Sequence, residues 1–231
     1  MPQEFDPTPE SLIPAKPIPP GADDFSKRIH GMMDGQSKDD ATVSKAFEGM
    51  DALVDLIAAG LYNLASMLVG EGEEGIALVE TAIATAEVSV CHDPLLARKN
   101  SRRALCGAAI ELIERREPGS LAAPAGVATV ATCLEDDDLE GAGISREDLD
   151  RMIAGPERER VREWLESLPT VVRVIFVLRA VAGLTAAEAV DLLMQRCGAQ
   201  NPGWTANAVR EVFRQGLCSL ASQLIQASAA R

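Results

Sequence analysis

Four cations stand close together at Arg98, Lys99, Arg102 and Arg103. Spacings of three and four share one side of a helix, so these residues form a single basic stripe. A second set, Thr205, Asn207, Arg210, Glu211 and Arg214, falls at the start of the last apolar-periodic stretch. A guanidinium can bind a guanine edge bidentately, a carboxamide can bind adenine, and hydroxyl and ammonium groups bind phosphate. The chemistry open to these residues is therefore recognition of nucleic acid rather than bond-making. Covalent and metal chemistry lack their parts. The chain has two histidines, His30 and His92, and five cysteines, Cys91, Cys106, Cys133, Cys197 and Cys218, with no C-x-x-C pair. An odd, unclustered set predicts buried reduced thiols rather than a disulfide framework. Cys91-His92 has no partner cluster for a metal. No catalytic residue, metal site or cofactor is expected, and the chain is not expected to be an enzyme.

The formal net charge of −13 argues against polyanion binding until it is divided along the chain. Residues 1–90 carry 5 basic and 16 acidic side chains, and residues 117–155 carry 2 and 9. Residues 91–116 carry 6 and 3, and residues 156–231 carry 9 and 7. The two non-acidic blocks are thus the two that hold the candidate contacts. Screening over about 10 Å makes the local sign matter more than the total. Both excesses are small, so unaided affinity for DNA should be weak and salt-sensitive.

The elements that must position these residues read as helices throughout. Leu168, Val171, Ile175, Leu178 and Ala182 mark one apolar face, with Pro169 in the first turn and Gly183 as the stop. Thr185-Ala-Ala-Glu188 has the spacing of a capping box and opens a short helix to about Leu193. Thr205 is a second cap, opening a longer helix through Val209, Val212, Phe213, Leu217 and Leu220. Helix, short helix, turn and longer helix is the order of a helix-turn-helix. Upstream, Asp40 to Val69 has a seam of Phe47, Met50, Val54, Ile57, Leu61, Leu64 and Leu68. Gly72-Glu-Glu-Gly75 reads as a turn, Ile76 to Val90 as a second helix and Leu95 to Arg116 as a third. No alternating strand pattern is present, so the fold class is all-α.

The motif L-P-x-x-x-R-x-x-F-x-L-R-x-x-x-G-L-T-x-x-E-A over Leu168 to Ala189, followed by V-R-x-x-x-R at Val209 to Arg214, resembles region 4 of bacterial sigma factors of the extracytoplasmic-function type. The resemblance implies a last helix that reads promoter DNA through Thr205, Asn207, Arg210 and Arg214. More faintly, L-Y-x-x-A-x-x-L-V-G-x-x-E-E from Leu61 to Glu74 is similar to sigma region 2, where the family grips core RNA polymerase. That likeness implies a polymerase-binding surface at Tyr62, Glu73, Glu74 and Glu80. It also implies promoter contacts at Arg98, Lys99, Arg102 and Arg103. The family's acidic pair and Gln are replaced here by Ile76, Ala77 and Glu80. Residues 91–116 contain no Phe, Tyr or Trp, so strand opening by base stacking is not expected.

The resulting organisation is a Pro-rich tail over 1–40, a region 2-like domain over 41–116, a linker over 117–155 and a helix-turn-helix domain over 156–231. The linker is Ala/Gly-rich, then acidic, with a brief helix from Ser145 to Met152 capped by Ser145. The Glu135–Glu140 run could lie on Arg210 and Arg214 and close the molecule on itself. Pro156 sits at a helix start, and Val161, Trp164, Leu165 and Leu168 should enter the core. The longest uncharged run, 118–134, holds two prolines and is too short to span a bilayer. The N-terminus is unlike a signal sequence, so a cytoplasmic protein is expected. Its expected partners are core RNA polymerase, promoter DNA and a regulator of the anti-sigma kind. The alternative is a sigma-like fold that serves only as a protein-interaction module.

Overall fold

The computed structural model describes residues 57–86, 94–124, 133–134, 137–140, 142–197 and 203–229. Every regular element among them is helical, as the periodicity predicts. The expected tail over 1–40 and the first part of the helix expected from Asp40 lie outside the described residues. The described ones all belong to one compact unit, 40–231. No helix among them is long and apolar enough to cross a membrane.

Helix α1 covers 57–69, and Leu61, Leu64, Ala65 and Leu68 form its buried seam. Two glycines with left-handed backbone, Gly70 at φ 90° and Gly72 at φ 133°, reverse the chain where other residues would be strained. Helix α2 (Glu73–Thr85) then starts three residues earlier than the expected Ile76. Glu73 and Glu74 therefore lie in its first turn, beside the positive helix end. Gly75 is a packing residue rather than a turn residue. A Cβ there would stand 3.4 Å from the Gly70 carbonyl oxygen and 3.6 Å from the Tyr62 ring.

Helix α3 (Pro94–Arg116) packs on α2 with Leu105, Ala109, Ile110 and Ile113 buried. Helix α4 (Arg146–Ala154) is capped by Ser145, whose Oγ accepts from the Asp148 N–H at 3.1 Å. Helix α5 (Arg158–Ser167) follows Pro156 and buries Val161, Trp164 and Leu165. Leu168 is only half-buried.

The central element is α6 (Thr170–Phe176), which continues as a π-helical turn, Val177–Val181. Pro169 is its N-cap rather than a first-turn residue. The expected single apolar face is too narrow a description. Val172, Val174, Ile175, Phe176, Val177, Leu178, Ala180 and Val181 are all buried, because α8 packs along this element and α5 and α7 touch it too. Trp164 meets Phe176 edge-on at 5.0 Å between centroids, and Phe213 lies 5.8 Å from Phe176. Gly183, at φ 76°, ends the segment.

Helix α7 (Ala186–Cys197) runs four residues past the expected Leu193. Its capping box is complete. The Glu188 N–H donates to Thr185 Oγ1 at 3.1 Å, and the Thr185 N–H donates to Glu188 Oε2 at 2.9 Å. Helix α8 (Ala206–Ala229) opens with the Ala208 N–H donating to Thr205 Oγ1 at 3.1 Å. Its back, formed by Val209, Val212, Phe213, Gly216 and Leu217, is buried.

Candidate nucleic-acid interface

The N-terminal turns of α8 carry Thr205, Asn207 and Arg210, all exposed. The cap on Thr205 and the buried Val209 and Val212 behind it fix which way this face points. Arg210 is held locally: its Nη1 donates to Asn207 Oδ1 at 2.9 Å. Its Nε stands 3.6 Å from Asp137 Oδ2. The same carboxylate accepts from Arg179 Nη2 at 3.1 Å, and the Asp137 carbonyl accepts from that nitrogen at 3.3 Å. Arg179 in turn lies 5.1 Å from the Phe213 ring centre and donates to the Leu184 carbonyl at 3.0 Å. Arg214 is half-buried and forms an ion pair with Glu211. The acidic linker therefore reaches the mouth of α8 through Asp137, onto Arg210 as expected and onto Arg179, whereas Arg214 pairs with Glu211.

The α3 stripe is divided. Arg98 is exposed and Arg103 half-buried. Lys99 Nζ lies 2.9 Å from Glu188 Oε1, so it joins α3 to the cap of α7. Arg102 is half-buried and its Nη1 donates to the Val181 carbonyl at 3.2 Å. Arg146 Nη2 donates to that same carbonyl at 3.3 Å. Two guanidinium groups thus cap the end of the π turn, where helical carbonyls lack partners and carry partial negative charge. Burial lowers the Arg102 pKa, and the neighbouring charges of Arg98 and Arg146 lower it further. The Glu188 carboxyl is held down at about 2, first by the Thr185 backbone N–H and then by Lys99.

The residues expected to face a polymerase are also placed. Tyr62 and Glu80 are half-buried and Glu73 is exposed. Glu74 pairs with Arg116, and Glu71, in the preceding turn, pairs with Arg158 and with Arg162.

Cysteine chemistry departs from the expectation of reduced, buried thiols. Cys133 and Cys218 form a disulfide across 85 residues of sequence, and Cys133 is exposed. Cys106 and Cys197 are buried, and burial pushes the Cys106 thiol up to about 12. Cys91 lies outside the described residues. Among the described residues no group of three or more His, Cys, Asp or Glu side chains is placed to hold a metal ion.

Asp137, Arg179 and the Cys133–Cys218 pair belong to this site, and sequence reasoning did not name them as such. The acidic run was a signal for Asp137; nothing local pairs the two cysteines. Compared with protein-family models, curated proteins and solved structures, the chain matches none.

Proposed function

We propose that this chain is a sigma-factor-like transcription initiation or regulatory protein. In this reading α7 and α8 act as a helix-turn-helix, with Thr205, Asn207, Arg210 and Arg214 as its promoter-binding residues. The region 41–116 is the part that docks on bacterial core RNA polymerase, with Tyr62, Glu73, Glu74 and Glu80 as its contact residues. No chemical step is involved; the protein works by bringing polymerase and DNA together. The observation that carries the reading is the opening of α8. A side-chain cap and a buried back leave Thr205, Asn207 and Arg210 outward on its first turns. These are the residue types that read base edges, on the part of a helix that enters the major groove first.

The test is co-elution with core RNA polymerase at low and moderate salt, together with fluorescence anisotropy on a promoter-length duplex. Stable co-elution is expected, together with duplex binding that weakens steeply with salt and is reduced in Arg210→Ala. A folded, helical protein that binds neither polymerase nor duplex refutes the proposal.

A second reading has its own observation. Lys99 and Arg102 are spent on Glu188 and Val181, which leaves less of the α3 stripe for phosphate. That favours a protein-interaction module, with a regulator of the anti-sigma kind as its partner. Binding of such a regulator without any binding to polymerase would decide for it.

A further inference from the structure

We infer that the Cys133–Cys218 disulfide is a redox latch that holds the acidic 137–140 segment against Arg210 and Arg179. Four observations converge. The bond is the one disulfide among the described residues, and its Cys133 end is exposed. Four residues further on, Asp137 contacts both arginines. Beyond it the chain is fixed by a turn, in which the Ile144 N–H donates to the Leu139 carbonyl at 3.0 Å, and then by the capped α4. The other cysteines in the described residues, Cys106 and Cys197, are buried.

The geometry explains why the bond matters to Arg210. Cys218 lies eight residues along α8 from Arg210, about 12 Å at the helical rise. The four residues from Cys133 to Asp137 reach at most about 14 Å. With the sulfurs joined, Asp137 stays tethered to α8, within about 20 Å of Cys218. With them apart, this end is held by the part-buried contacts of Asp137 with Arg179 and by its pair with exposed Arg210, and an exposed pair shifts an open–closed ratio by about twofold to fivefold.

Release needs a dithiol reductant. Its thiolate attacks the sulfur of Cys133, the exposed residue of the pair, a mixed disulfide forms and Cys218 leaves as a thiolate that takes up a proton. The second thiol of the reductant then attacks the mixed disulfide, frees Cys133 as a thiol and leaves the reductant oxidised. Two electrons and two protons pass to the protein. Exposed disulfides are the labile, regulatory kind, whereas buried ones resist reduction. The consequence for DNA rests on the promoter-binding reading; the latch itself does not. Oxidised, the segment's carboxylates compete with phosphate for Arg210; reduced, Arg210 is released.

The experiment uses the full chain, oxidised and after dithiothreitol, with Cys133→Ser and Asp137→Asn beside it. Peptide mapping follows the rate at which an arginine-selective dicarbonyl modifies Arg210 and Arg179, and anisotropy follows a short duplex. Reduction and Cys133→Ser should each raise both modification rates by about twofold to fivefold. Asp137→Asn should do the same with the disulfide intact by mass. Equal rates in the oxidised and reduced chain overturn the latch. So does a chain purified without reductant in which Cys133 and Cys218 both take up an alkylating agent. If the rates rise and duplex affinity rises with them, the latch controls the proposed site. If the rates rise while no duplex binds in either state, the latch stands and the promoter-binding reading falls.

Discussion

Gly216 sits inside α8, where alanine is ordinarily the better residue by about 1 kcal/mol. The structure reverses that expectation. A Cβ at position 216 would stand 3.0 Å from Cδ2 of Phe176 and 3.4 Å from its Cβ. The outcome depends on whether Phe176 can give way. It is fully buried, with Trp164 edge-on at 5.0 Å and Phe213 at 5.8 Å. A shift of a few tenths of an ångström drives the ring into one of those neighbours. Overpacking of this kind costs about 1–3 kcal/mol, which exceeds the helix gain, so Gly216→Ala should destabilise by about 1 kcal/mol net. Gly107 in α3 supplies the control. A Cβ there meets Arg196 Nε at 3.0 Å and its Cζ at 3.4 Å. That is the far end of a flexible side chain, paired with Glu111 at a partly exposed site. The guanidinium can swing aside, so the steric cost falls away and Gly107→Ala should stabilise by about 0.5–1 kcal/mol. Urea unfolding of both variants, followed by circular dichroism with the disulfide intact, reads the two signs. If both substitutions stabilise alike, Phe176 is free to move and the interlock of α5, α6 and α8 is looser than these distances imply.

Glu188 gives a pH dependence. Its carboxyl is depressed to about 2, so the folded state binds fewer protons than the unfolded one. The stability this adds is present above the ordinary carboxylate range and is lost as pH falls towards about 2. The Lys99 partner is exposed, so solvent screening leaves about 1 kcal/mol of effect. Glu188→Gln should shrink the loss in unfolding free energy, read from urea titrations between about pH 6 and pH 3, by about that amount; an unchanged pH profile would show the cap carries no linked proton. Trp204→Phe removes the indole N–H that donates to the Leu121 carbonyl at 3.0 Å in a buried setting. The orphaned carbonyl should cost about 1–3 kcal/mol in unfolding free energy. Opening the 85-residue loop closed by Cys133–Cys218 should cost about 2–4 kcal/mol in Cys218→Ser under non-reducing conditions. That difference from the parent chain should vanish in calorimetry once both are reduced.

What could be read from the sequence was chemistry that closes within three or four residues. Ser145, Thr185 and Thr205 were each recognisable as caps, because the donor they satisfy lies three positions on. The same logic failed at Gly75. Gly-Glu-Glu-Gly reads locally as a turn, while the close approach of Tyr62 and the Gly70 carbonyl makes it a helix contact. It failed again along α6, since periodicity shows that a face is apolar but not how many neighbours will press on a helix. The candidate site was the least legible part. Arg98, Lys99, Arg102 and Arg103 were visible as a stripe, yet a stripe has no sign of what it will meet. A carbonyl at the end of a helix and a carboxylate in a cap attract cations as phosphate does. In a chain of net charge −13 such acceptors are close at hand. Lys99 and Arg102 found theirs in Glu188 and Val181, 89 and 79 residues away, and Arg210 found Asp137. On the proposed promoter-binding reading, a phosphate or base that contacts Arg210 would compete with the Asp137 carboxylate, and the energy of that exchange, more than the number of cations, would set the affinity.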